Sequence, residues 1–304
     1  MSGRYPDFLV IGARKAGTTS LYYALAQHPQ IFMSPVKEPR FFTFEGSPPA
    51  FRKPAAAKWD FVAITDRAEY QALFAGAAPH QLCGEASPIY SSGYRCEETA
   101  DNIQRTIPAA KLIMILRHPA ERAWSEFHYQ RQLGNEPCPS LEEALACEDA
   151  PHRAAISPDL LYFRTGLYSA HLKHYYDRFP PEQIRVFLYE DWQQEPETVL
   201  EGAVCFLELE SGHGFNVERH NPTIHVRSRR LARWLETESA PRKVARAVLP
   251  GRLRHALSRR LRRWTYTRPR PMPSALRREL TTLYRDDIES LQALIGRDLS
   301  HWLD

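Results

Sequence analysis

The segment "FLVIGARKAGTTSLYYAL", residues 8–25, decides how the rest of the chain is read. Its first five residues are an apolar run ending in Gly12, the pattern of a strand buried on both faces of a parallel sheet. Leu21, Ala24 and Leu25 then fall at helical spacing, and the run stops before Pro29. Between the two lies Gly12-x-x-x-x-Gly17, the glycine spacing of a nucleoside-triphosphate loop. Thr18 and Thr19, however, stand where such a loop carries Lys-Ser or Lys-Thr. The nearest lysine, Lys15, is inside the loop. A helix start after a glycine turn presents unpaired N–H groups and the positive end of its dipole to an anion. Thr18, Thr19 and Ser20 add hydroxyls there. That is enough to hold one phosphate, with Lys15 placed to reach a group attached to it.

A second anion element follows in "KLIMILRHPAERAWSEFHY" (111–129). "KLIMIL" is the clearest buried strand in the sequence, and Pro119 opens the helix after it. Arg117 lies just past the strand, where ligands gather in open α/β sheets. Ser125 is two helical turns further on, and an arginine with a hydroxyl can bind a separate phosphate. His118, next to Arg117, is a secondary candidate for a general base.

Further strands are expected within "QLCGEASPIY" (81–90) and at "QIRVFLYE" (183–190), and helices at "LEEALACE", "GLYSAHLKHYYDRF" and "PETVLEGAVCFLEL". Strands alternating with helices imply a parallel sheet covered on both faces. Residues 36–60 read as ordered loop, and Leu276, Leu280, Leu283, Tyr284, Ile288, Leu291 and Leu294 mark a C-terminal amphipathic helix. The five cysteines are odd in number and form no C-x-x-C pair, so neither a disulfide framework nor a zinc site is signalled. The 304 residues are 43% hydrophobic and 25% charged, ordinary for a soluble globular chain. No apolar run reaches the roughly 18 residues of a membrane span, and no signal-peptide layout is seen, so a cytoplasmic protein is expected.

Two anion elements in this order make the chain resemble the sulfotransferases that use 3′-phosphoadenosine 5′-phosphosulfate (PAPS). "FLVIGARKAGTTSLYYAL" is similar to their 5′-phosphosulfate loop and "KLIMILRHPAERAWSEF" to their 3′-phosphate segment. "KEPRFF" (37–42), "GEASPIY" (84–90), "RTGLY" (164–168) and "LIGRDLSHWL" resemble the branch that includes heparan-sulfate enzymes and bacterial relatives. The resemblance implies a three-layer P-loop-type α/β fold, with a central parallel sheet flanked by helices, in a single domain spanning 1–304. It also implies a sulfuryl donor used without metal, leaving 3′-phosphoadenosine 5′-phosphate (PAP). By the same resemblance, Lys15 stabilises the bridging oxygen and leaving phosphate, where charge develops. Arg14, the N–H groups from Ala16 through Gly17 to Thr19, and the side chains of Thr18, Thr19 and Ser20 surround the 5′-phosphate. Arg117 and Ser125, with Tyr168, serve the 3′-phosphate side. Glu38 matches the general base, and Arg40, Phe41 and Tyr90 fall on the acceptor side. Arg40 stands where heparan-sulfate enzymes commonly have His, and Ala86 where they have Lys, so a different acceptor site is expected. The acceptor reads as a small metabolite, lipid or saccharide. A P-loop kinase using ATP and Mg²⁺, or a non-catalytic nucleotide-binding protein, is the alternative.

The net charge of +4 conceals an asymmetry. From Arg227 to Arg270 the only acidic residues are Glu236 and Glu238, and the remainder of the chain is net acidic. This basic helical insertion at about 225–270 precedes the helix expected at about 273–296. It is compatible with a solvated face, a lid over an anionic ligand or a membrane-surface helix giving peripheral membrane contact, and nucleic acid ranks last.

Overall fold

The computed structural model describes residues 3–51, 62–217, 225–226, 266–267 and 271–304. Most of the basic insertion, and every role considered for it, lies outside those residues. Five strands build one sheet: β1 (Phe8–Gly12), β2 (Ile31–Met33), β3 (Leu82–Ala86), β4 (Lys111–Leu116) and β5 (Ile184–Leu188). Their spatial order is β2-β3-β1-β4-β5, and all four pairings are parallel. All five residues of β1 are buried, as are the last five of β4, which is why both read as continuous apolar runs. The alternation of strands and helices thus gives the three-layer α/β architecture.

From β1 the chain steps to one side through β2 and β3, then crosses to β4 and β5 on the other. The seam between β1 and β4 is therefore the topological switch point, where ligands of open α/β sheets bind at the strands' carboxyl ends. The loop of residues 13–17 leaves β1 at this seam and enters α1 (Thr18–Leu25); Arg117 leaves β4 there and enters α5 (Pro119–Leu133).

Helices at Arg67–Ala72, Cys96–Thr106 and Pro151–Ile156 were not expected from the sequence, and the helix Tyr189–Gln194 begins inside the stretch 183–190 read as strand. Two further elements were too short to be legible. β2 has only three residues, and Phe41–Phe44 makes one helical turn, α2, within the stretch read as loop. Helices α3 (Arg67–Ala72), α4 (Cys96–Thr106), α6 (Leu141–Ala146), α7 (Pro151–Ile156), α8 (Tyr168–Tyr176), α9 (Tyr189–Gln194) and α10 (Pro196–Phe206) complete the layers before the C-terminal helix Ser274–Ile295. That last helix buries Leu276, Leu280, Tyr284, Ile288 and Leu291 against α5 and α8. Its Asp287 accepts hydrogen bonds from the Ser169 hydroxyl and N–H, serving as a tertiary cap for the start of α8.

Contact between β1 and β3 is tight enough to demand a glycine. A Cβ on Gly84 would lie 2.1 Å from the buried Phe8 ring. Gly84→Ala is expected to destabilise the fold by about 1–3 kcal/mol through overpacking. In urea unfolding this appears as a lower midpoint at unchanged slope; an unchanged midpoint would contradict the packing described.

Candidate functional site

The loop after β1 is pinned before it reaches its helix. Ala13 N–H donates to the Ile115 carbonyl across the seam (2.7 Å), and Lys15 takes a left-handed conformation (φ 63°). Gly17, also left-handed (φ 97°), is the N-cap of α1 and brings no side chain to cover the N–H groups of the first turn. A Cβ at Gly17 would meet the Tyr189 ring at 3.1 Å, so the glycine serves both conformation and close approach. Thr18 and Ser20 are buried and Thr19 is partly exposed. Ala16 differs from expectation: its N–H donates to the Ala13 carbonyl (3.3 Å), so this donor is used inside the loop.

Arg117 joins the two anion elements. Its Nη1 donates to the Lys15 carbonyl (3.4 Å), Nη2 pairs with Glu121 (3.0 Å), and the guanidinium lies 5.1 Å from the Tyr189 ring centroid. Its Nε is buried with no hydrogen-bond partner among the described residues. Ser125 is buried on α5. Tyr168 is fully buried and donates to the Arg117 carbonyl (2.9 Å); it braces the arginine from behind instead of touching a nucleotide. His118 is not a base at this site. Burial lowers it to about 4, and its Nε2–H donates to the Trp302 carbonyl (2.9 Å), away from the loop.

Arg14 turns inward. It pairs with Asp159 (3.0 Å) and Glu126 (3.6 Å), both buried, so it buttresses the loop from beneath. Arg14 and Lys15 hold the Glu126 carboxyl below its ordinary value despite burial, whereas burial outweighs Arg14 at Asp159 and raises it. Sequence reasoning missed both carboxylates. Lys15 is half-buried, with its Nζ 3.8 Å from the Tyr129 ring centroid. Burial first, then the Arg14 and Arg117 charges, pushes its ammonium down to about 8, against the opposing pull of Glu126 and Glu38.

Residues 34–40 lie along the end of β3. Ser34 N–H donates to Gly84 O (2.8 Å), Glu38 N–H to Ala86 O (3.1 Å) and Arg40 N–H to Ser87 Oγ (3.0 Å). Glu38 (φ 59°) and Arg40 (φ 59°) are both left-handed. The Glu38 carboxylate lies between Lys37 (2.8 Å) and Arg40 (2.6 Å). Burial would raise it, but Lys37, Arg40 and Arg14 together outweigh burial and hold it far below the usual carboxylate range.

Phe41 and Tyr90 are not on the acceptor surface. Both are fully buried: Phe41 stacks on Tyr70 (4.1 Å between centroids), and Tyr90 donates to Glu85 (2.5 Å). Glu85 also accepts from Ser87 Oγ (2.8 Å) and Tyr70 OH (3.3 Å). Burial drives its carboxyl up to about 7 in spite of these donors. Through Ser87, this buried group supports the backbone at Arg40.

The comparisons with known proteins identify the family. Residues 6–212 match the profile of the sulfotransferase family, and the chain belongs to that family. A sulfotransferase from Alicyclobacillus acidocaldarius, known as a crystal structure, is 29% identical and superposes with a TM-score of 0.75 over 99% of this chain and 100% of its own. The human bifunctional heparan sulfate N-deacetylase/N-sulfotransferase 3 is 29% identical over 212 residues, which cover 67% of this chain and 22% of that protein. The membrane-associated sulfotransferase kil1 of Dictyostelium discoideum is 33% identical over 138 residues, covering 45% of this chain and 26% of its own length. The chain thus matches about a quarter of the length of these two relatives. The expectation of a cytoplasmic protein is overturned by relatives of this kind, kil1 being membrane-associated by name. Among the described residues no helix is long and apolar enough to cross a membrane, and no group of His, Cys, Asp and Glu is placed to hold a metal.

Glu85 has a consequence for stability. Unfolded, a glutamate titrates near 4.5; in the fold Glu85 titrates near 7, so between these values the folded state binds more protons. Its contribution to stability therefore falls as pH rises through that window and is constant above it. Glu85→Gln removes the titration, so the variant should gain stability relative to the parent from pH 4.5 to 7, then level off. Urea midpoints of both proteins across that range measure it, and a flat difference would be the contrary result.

Proposed function

We propose that this chain transfers the sulfuryl group of PAPS to a hydroxyl or amine by in-line displacement, with Glu38 as general base. The observation that carries the reading is the direct coupling of two anion elements, the Arg117 guanidinium bonded to the Lys15 carbonyl. A nucleotide with separate 5′- and 3′-phosphates suits that pair better than a triphosphate in one loop. The residues present fit such a donor. The α1 N-terminus is uncapped by side chains, Arg117 Nε is buried without a partner, and Lys15 has no carboxylate at ion-pair distance among the described residues. First-turn N–H groups with Thr18, Thr19 and Ser20 would hold the 5′-phosphate, and Arg117 with Ser125 the 3′-phosphate. Lys15 would meet the charge that develops on the leaving phosphate oxygen. Glu38 would accept the acceptor's proton. Arg40 and Lys37, on either side of it, keep the carboxylate ionised. The named specificity of the heparan-sulfate relative favours a saccharide acceptor over a lipid or small metabolite.

Thermal stabilisation separates this reading from the kinase alternative. PAP at about 100 times its dissociation constant should add roughly 2.7 kcal/mol and raise the melting temperature by a few degrees. Adenosine 5′-phosphate should do much less. A shift with ATP and Mg²⁺ but none with PAP would replace sulfotransfer by phosphoryl transfer.

Glu38→Gln should keep the PAP shift while lowering sulfation of desulfated heparan-type oligosaccharides by roughly 10²–10⁴-fold. Near-parental turnover would remove Glu38 as the base. Since its cationic neighbours keep Glu38 ionised, kcat/KM should hold as pH falls from 7 to 5. It should decline above about pH 8, where Lys15 of the free enzyme loses its proton. With donor bound, the adjacent phosphates raise Lys15, and the limb in kcat should move to higher pH.

A further inference from the structure

Lys15 must remain charged and aimed in a crowded cationic setting. Arg14 adjoins it in the loop, Arg117 approaches from the end of β4, and both disfavour its charge. Two carboxylates are near enough to help: Glu126 on α5 and Glu38 beside β3. Each is already engaged, Glu126 by Arg14 and by Gln130 (2.5 Å), Glu38 by Lys37 and Arg40. The group that meets the ammonium directly is an aromatic face, the Tyr129 ring at 3.8 Å. Tyr129 stands one helical turn beyond Ser125 on α5, so it shares that helix face.

We infer that Tyr129 is a positioning residue, whose ring holds the Lys15 ammonium in place for the transferred group. The inference rests on the sulfotransfer reading for its catalytic meaning, but the Lys15–Tyr129 pairing can be measured without it. An aromatic quadrupole attracts a cation without neutralising it. A carboxylate at the same place would form an ion pair that the incoming donor must break, and would cancel the charge the leaving phosphate needs. The ring leaves the ammonium N–H bonds free to pass to an anion. Lys15's backbone is fixed independently, by its left-handed conformation and by Arg117 at its carbonyl. Stem and tip are thereby set by two different elements, the end of β4 and helix α5.

The test compares Tyr129→Phe, which retains the ring, with Tyr129→Leu and Tyr129→Met, which do not. Acetylation of Lys15 by acetic anhydride, followed by mass spectrometry as a function of pH, reports its proton without donor or acceptor. The parent and Tyr129→Phe should titrate together. Loss of the ring should move the midpoint down by about half a pH unit. In oligosaccharide sulfation, Tyr129→Leu should lower kcat roughly tenfold with donor KM within about twofold, and Tyr129→Phe should retain the parental rate. A normal PAP shift verifies that each variant is folded, and Tyr129→Met substitutes if Tyr129→Leu is not. A ringless variant titrating with the parent would overturn the inference, as would Tyr129→Phe shifting as far as Tyr129→Leu. If the parent shows no PAP shift, the sulfotransfer reading fails while the acetylation profile still decides the pairing.

Discussion

The hydrogen bond from Ala13 N–H to the Ile115 carbonyl closes the seam on which the site depends. β1 and β4 run side by side as buried strands, and the chain departs from them toward opposite edges of the sheet. Whatever follows either strand must emerge over the same crevice. Lys15 and Arg117 are 102 residues apart in sequence yet in direct contact because of that topology. Rigid sheet packing, not loop contacts alone, sets the spacing of the two anion elements. The proposed donor, with two phosphates at fixed separation, would need that rigidity.

Around the seam the backbone is strained in a particular way. Lys15, Glu38 and Arg40 all adopt left-handed conformations, which cost a side-chain-bearing residue on the order of 1–2 kcal/mol each. Such strain persists where surrounding contacts over-determine the geometry. The contacts are visible: Arg117 at the Lys15 carbonyl, Ala86 at the Glu38 N–H and Ser87 at the Arg40 N–H. The charges are just as constrained. Among the described residues, Glu126 is engaged by Arg14 and Glu38 by Lys37 and Arg40, so neither carboxylate near Lys15 forms an ion pair with it.

Much of this was legible in the sequence, for identifiable reasons. Continuous apolar runs gave β1 and β4, and glycine spacing with the displaced lysine gave the loop, because those signals are local. Three-residue β2 and one-turn α2 were invisible because neither is long enough to show a period. Phe41 and Tyr90 were placed on the acceptor side because aromatic residues near a catalytic motif read equally as lining or as core. Only the Tyr70 and Glu85 partners, from elsewhere in the chain, show them to be core. Tyr129 was within reach of sequence reasoning, since it is four residues beyond Ser125 on a recognisable helix. Arg14's inward turn was not, because Asp159 approaches from a segment with no pattern linking it to the loop.

His118, beside the braced Arg117, bonds the carbonyl of Trp302, 184 residues later. Translation proceeds at roughly 5–20 residues per second, so roughly 10–40 seconds separate these partners during synthesis. The sheet can assemble while the chain is still emerging from the ribosome. The turn carrying Arg117 receives the Trp302 contact only when the helix Ser274–Ile295 and the residues after it are free to dock. A nascent chain at that stage can have the sheet without this contact behind Arg117. The support that Trp302 gives this turn therefore arrives well after the strand that leads into it has been made.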